Sequence, residues 1–131
     1  MPRPTKEAQM SDSPIVFPHH KLDVYTVAVE FAVAVRALIE RMPRGHATLA
    51  DQLSRSSIST VTNTAEGANR LGTGEKRQKF SIARGEVGEA AACIELAAAL
   101  GLVPQPEARA ALVLAGRIAA MLTRLIQRFG G

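Results

Sequence analysis

The side chains able to do covalent or acid–base chemistry are few and scattered. A nucleophile needs a base within hydrogen-bond reach. The single thiol, Cys93, lies in an alanine-rich stretch, whereas the three histidines, His19, His20 and His46, all fall in the first half of the chain. No cation near Cys93 would hold it as a thiolate, so it reads as a small core residue. The His19-His20 pair reads as solvated rather than as a metal ligand. Glu66, Glu86 and Glu89 raise the carboxylate-bridged di-iron site of helical bundles, but that site needs Glu-x-x-His twice. Glu86-Val87-Gly88-Glu89 has no histidine at that spacing. The expectation is therefore no catalytic residue, no metal and no cofactor. Glu66 and Glu89 are expected instead to pair with arginines such as Arg70 and Arg84.

The cations are more suggestive. Arg70, Lys76, Arg77, Lys79 and Arg84 face one acid, Glu75, over the same stretch. Lys76, Arg77 and Lys79 sit near the start of a helical pattern, where cations oppose the helix dipole, and that mismatch points to an external anion such as the phosphates of RNA or DNA. Few aromatics are available to stack on unpaired bases: the chain has one Tyr, four Phe and no Trp. A second row, Arg117, Arg124 and Arg128, falls within a narrow sector of the last helical pattern, at roughly 100° per residue.

These residues need elements to position them, and hydropathy periodicity supplies four helices. Val24, Ala28, Phe31, Val35, Leu38 and Met42 alternate steps of four and three over residues 23–42. Asp23 is the expected N-cap, and Pro43 the stop. Over residues 46–70 one stripe runs Leu49, Leu53, Ser56, Thr60, Asn63 and Gly67, turning polar halfway. Beside it lies an apolar stripe, Ile58, Val61, Ala65 and Ala68, expected to pack, while Ser56, Thr60 and Asn63 hydrogen-bond between helices and set register. Leu71-Gly72-Thr73-Gly74 reads as a hairpin tip, with Gly67 and Gly85 permitting close backbone approach beside it. The third pattern, residues 75–100, has a main stripe of Phe80, Ala83, Val87, Ala90, Ile94 and Ala97, and a second of Ile82, Cys93, Leu96 and Leu100. Pro104-Gln105-Pro106 precedes the fourth, opening at Glu107 with a seam of Ala111, Ala115, Ile118, Leu122, Leu125 and Phe129. Short connections make this an all-α, antiparallel up-down-up-down four-helix bundle over residues 21–131, preceded by a flexible proline-rich N-terminal arm over residues 1–20.

Length and composition agree with one core. The chain has 131 residues, 47% of them hydrophobic and 21% charged, which excludes disordered, collagen-like and disulfide-stapled classes. Sixteen Lys+Arg against twelve Asp+Glu leave +4. One cysteine and the lack of an apolar leader over residues 1–20 suggest the cytoplasm, and Arg117 and Arg124 interrupt the best membrane candidate. Apolar surface exceeds what one bundle can bury, with Leu114 and Met121 beside the fourth seam, so a homo-oligomer is expected.

Several ordered blocks resemble the 23S rRNA-intervening-sequence proteins. They are Leu22-Asp23-Val24-Tyr25, Gln52 through Ser59, Asn63-Thr64-Ala65-Glu66-Gly67 with Arg70, and Phe80 through Gly85 with Glu89. The resemblance implies small bacterial cytoplasmic four-helix bundles that assemble into rings, pentamers among them, without enzymatic activity. A related branch accompanies the reverse transcriptases of diversity-generating retroelements, which implies nucleic acid or a nucleic-acid-processing protein as partner. Asn63, Glu66, Gly67, Arg70, Arg84 and Glu89 carry over as assembly or surface determinants, beside Ser56 and Thr60. Glu86 stands where the family more usually has serine. Two readings follow: an oligomer binding RNA or DNA through Arg70, Lys76, Arg77, Lys79 and Arg84, or a protein-interaction scaffold with no nucleic-acid contact.

Overall fold

A computed structural model describes residues 16–130. It shows four α-helices: α1 (Asp23–Arg41), α2 (Ala47–Asn69), α3 (Thr73–Ala99) and α4 (Gln105–Phe129), with no strand among the described residues. Each helix packs on its neighbours in the chain, α4 closes back onto α1, and the backbones of the diagonal pairs stay apart. The antiparallel bundle read from the periodicity is therefore present. Three of the four seams sit where hydropathy put them: Val24, Ala28, Phe31, Val35 and Leu38 on α1, Phe80, Ala83, Val87, Ala90, Ile94 and Ala97 on α3, and Ala111, Ala115, Ile118 and Leu122 on α4 are all buried. Their periodicity matches the helical repeat, so one face of each helix can leave water together.

The connections follow from local backbone chemistry. Gly45 takes φ +97° between α1 and α2, a conformation that costs an L side chain strain. Gly101, at φ +73°, closes α3: its N–H donates to Ala98 and that of Leu102 to Ala97, the paired bonds of a Schellman ending, with Leu102 buried behind it. Asp23 is the first helical residue rather than the cap, which is Leu22. Thr73 and Gly74, read as tip, are already helical, since the α2–α3 connection needs only Arg70 to Gly72.

Residues 1–15 of the expected arm lie outside the described residues. Its last residues do not extend freely: Pro18–Lys21 form one 3₁₀ turn packed against α2 and α1. Backbone bonds from His20 to Phe17 and from Leu22 to His19 close that turn, which periodicity cannot show.

The helix α4 is long and apolar enough, by length and composition alone, to cross a membrane. Its seam is already spent on the bundle core, and Arg109, Arg117, Arg124 and Arg128 stand exposed away from it. Lipid facing that side would have to accept arginines at roughly 3 kcal/mol each near the midplane.

Candidate functional site

The face of α2 that enters the core is the hydroxyl-bearing one. Ser56, Ser57, Thr60 and Thr64 are buried with Leu53, Gly67 and Ala68. None of these hydroxyls bridges helices: Ser56 donates to Leu53 O, Thr60 to Ser56 O at 2.8 Å and Thr64 to Thr60 O at 2.7 Å. Asn63, half-buried, likewise donates to Ser59 O and Oγ at 2.9 Å. The expected interhelical register bonds are thus absent among the described residues. A β-hydroxyl satisfied by its own helix can be buried cheaply. The small side chains let α2 approach α3, and Gly67 meets the ring of Phe80 there: a Cβ on Gly67 would lie 2.7 Å from it. Gly85 faces open space and plays no such part.

The neighbouring stripe, expected to pack, is instead partly outside. Ile58 is 55% exposed, Val33 on α1 67%, and with Val29, Ala32 and Val61 they line a groove of about 310 Å³ between α1 and α2. On a different side, α3 carries a ridge of Ile82, Leu96 and Leu100, the last two at least half exposed, while Cys93 of the same stripe is buried. The core of α2 thus holds hydroxyls while its isoleucine faces water.

The candidate cations at the hairpin tip have internal partners. Arg70 pairs with Glu66 (3.5 Å) and Glu75 (3.7 Å), and Lys79 with Glu66 (3.1 Å). Lys76 donates to the carbonyls of Gly67 and Ala68, and its ammonium sits 5.7 Å from the centre of the Phe129 ring. Arg77 donates to Phe129 O, and Arg84 to Thr123 Oγ1. The mismatch of cations with the α3 dipole is thereby accounted for. In an antiparallel bundle the N-terminus of α3 lies beside the C-termini of α2 and α4, whose last carbonyls lack helical partners and carry the negative ends of two dipoles. The hydrogen bonds from Lys79, ahead of its charge and of the Arg70 contacts, hold the Glu66 carboxyl below the usual carboxylate range.

Glu89 pairs with Arg55, not with Arg84, and the same guanidinium stands 3.6 Å from Glu86. Arg84 is drawn the other way, toward α4, because its place in the turn of α3 faces Thr123. Arg55 thus faces Glu86 at ion-pair distance, while the buried Glu86 Oε2 makes no hydrogen bond among the described residues. Arg117, Arg124 and Arg128 make no side-chain hydrogen bond or ion pair among the described residues, and the only acid on α4 is Glu107, which pairs with Arg41. Burial, with the Glu89 charge adding to it, pushes the Cys93 thiol up. Among the described residues no three His, Cys, Asp or Glu converge as metal ligands would.

The four-helix frame is shared with known proteins. The family model of the 23S rRNA-intervening sequence protein matches residues 20–124. The chain belongs to that family. A solved member of the S23 ribosomal protein family from Bacteroides thetaiotaomicron, described as of unknown function, is similar in fold, with a TM-score of 0.73 at 21% identity over 79% of this chain and 97% of that one. No curated protein matches the chain.

Proposed function

We propose that this member of the 23S rRNA-intervening family is a non-enzymatic cytoplasmic scaffold that works as a homo-oligomer. The observation that carries the reading is the inversion on α2, where hydroxyls are buried and Ile58 faces water beside Val33. An apolar groove on one side and an apolar ridge on another are not copies of one patch, so a ridge seated in a groove is a heterologous contact, which closes into a ring when the rotation permits. Five copies is the count that the family resemblance favours. The raised Cys93 thiol, away from every histidine in sequence, supports a structural role for that residue. Light-scattering mass of the purified chain tests the proposal. A closed oligomer is expected, falling to lower mass in Ile58→Glu with helical circular dichroism unchanged; a monomeric wild type, or an unaltered mass in the variant, sinks it.

A second reading, RNA or DNA held at the basic end through Arg70, Lys76, Arg77, Lys79 and Arg84, draws support from Arg117, Arg124 and Arg128, exposed without acids to answer them. Phosphate contacts release counterions, so affinity for a short structured RNA should fall steeply with salt, and the slope should flatten in Arg117→Gln/Arg124→Gln/Arg128→Gln. Mass indifferent to RNA at every salt leaves the scaffold alone.

A further inference from the structure

The turn that precedes α1 is held by two imidazoles whose protonation states the geometry dictates. Asn69 Nδ2 lies 2.8 Å from Ala65 O, and the same nitrogen lies 2.8 Å from His19 Nδ1. A carbonyl only accepts, so the amide must present its NH₂ group there, and His19 Nδ1 must accept the second N–H. Flipping the amide would set its oxygen against Ala65 O and lose that bond. In the same turn the backbone N–H of Phe17 donates to His20 Nδ1 at 3.2 Å. Each ring therefore uses Nδ1 as an acceptor, and His20 Nε2 is buried without a hydrogen-bond partner.

An imidazolium has no acceptor nitrogen. Proton uptake by His19 would aim an N–H at the Asn69 amide. The His20 ring lies 4.4 Å from that of His19, and the Tyr25 ring meets His19 edge-on at 4.6 Å, so the imidazolium would be crowded on two sides. Little nearby would compensate. On the adjoining ends of the packed elements the charged or titratable groups are Asp23 and Tyr25 on α1, Glu66 and Arg70 at the end of α2, and Lys21 in the turn itself. Glu66 is engaged by Lys79 and Arg70, and neither histidine has a carboxylate within ion-pair distance among the described residues.

We infer that Pro18–Lys21 is a proton-operated latch, docked on Asn69 by a neutral His19 and released when that ring becomes imidazolium. The helices α1 to α4 stay folded when the latch opens. Burial, followed by the charge of His20, holds His19 below its ordinary pKa of 6.5. The sign follows: the docked turn binds fewer protons than the free one, so docking is complete above the ordinary value and is lost as pH falls below it.

Nuclear magnetic resonance on the full chain tests the latch between about pH 7.5 and pH 5. The Phe17 and Leu22 amides should lose protection from exchange at least tenfold at the lower pH, and the Asn69 side-chain amide should shift with His19. Circular dichroism should show the four helices intact. In His19→Gln/His20→Gln, whose side-chain carbonyls accept but do not titrate, protection should become independent of pH. Asn69→Ala should loosen the turn throughout and let His19 titrate nearer its ordinary value. Unchanged protection in the wild type, loss that persists in the double variant, or helix melting at the same pH would each overturn the proposal.

Discussion

Gly67 has no side chain because the Phe80 ring occupies the space, 2.7 Å from where a Cβ would stand. Phe80 is fully buried and stacks on Phe129, with ring centres 6.1 Å apart, so it has little room to retreat. Gly67→Ala should therefore destabilise the bundle by about 1–3 kcal/mol through overpacking, despite the better helix propensity of alanine. Denaturant unfolding measures this, and Phe80→Leu in the same chain should recover part of the loss; additive losses would show that the two do not compete for space. Cys93 yields a second expectation at this scale. With its thiol raised by burial and by Glu89, it should alkylate far more slowly in the native protein at mildly alkaline pH than in denaturant, and equal rates would contradict its place in the core.

The α2–α3 hairpin is where elements explain residues. Lys76 and Arg77 look misplaced if α3 is considered alone, and well placed once α2 and α4 end beside it. Lys76→Met keeps the stem but removes the donor to Gly67 and Ala68, and should cost about 1 kcal/mol in denaturant unfolding, whereas Lys76→Arg should retain most of it. A variant as stable as the wild type would deny the capping role. Glu66 ties the same hairpin together through Lys79 and Arg70. Because its folded pKa is depressed, its contribution is present above the ordinary carboxylate range and disappears as pH falls through the folded value. The stability gap between wild type and Glu66→Gln should accordingly narrow on acidification from about pH 6 toward pH 3; a constant gap would remove the ion pair from the account.

At the scale of the molecule, the groove and the ridge make a sharper prediction than loss of mass. Ile58→Glu spoils the groove and leaves the ridge, while Leu96→Glu does the reverse. Neither variant should assemble alone, yet an equimolar mixture should form a dimer through the one good ridge and the one good groove, read by light scattering. If the contact were groove to groove, Leu96→Glu would keep the wild-type mass, and the heterologous arrangement would fail.

Periodicity by itself determined that there are four helices, where three of them bury their seams, and that their order is antiparallel, because burying one stripe per helix with short connections admits few alternatives. The ordered blocks from Leu22 to Glu89 also carried the family. Three things needed the tertiary structure. Which face of α2 enters the core could not be told from hydropathy, since Ser56, Thr60 and Thr64 satisfy their hydroxyls on their own helix and so are buried while Ile58 stays outside. The partners of the cations were invisible because they are carbonyls and acids brought near by neighbouring helices, which is how Arg55 rather than Arg84 came to hold Glu89. The docked histidine turn arises from a contact between residues fifty positions apart, His19 and Asn69, which no local pattern encodes.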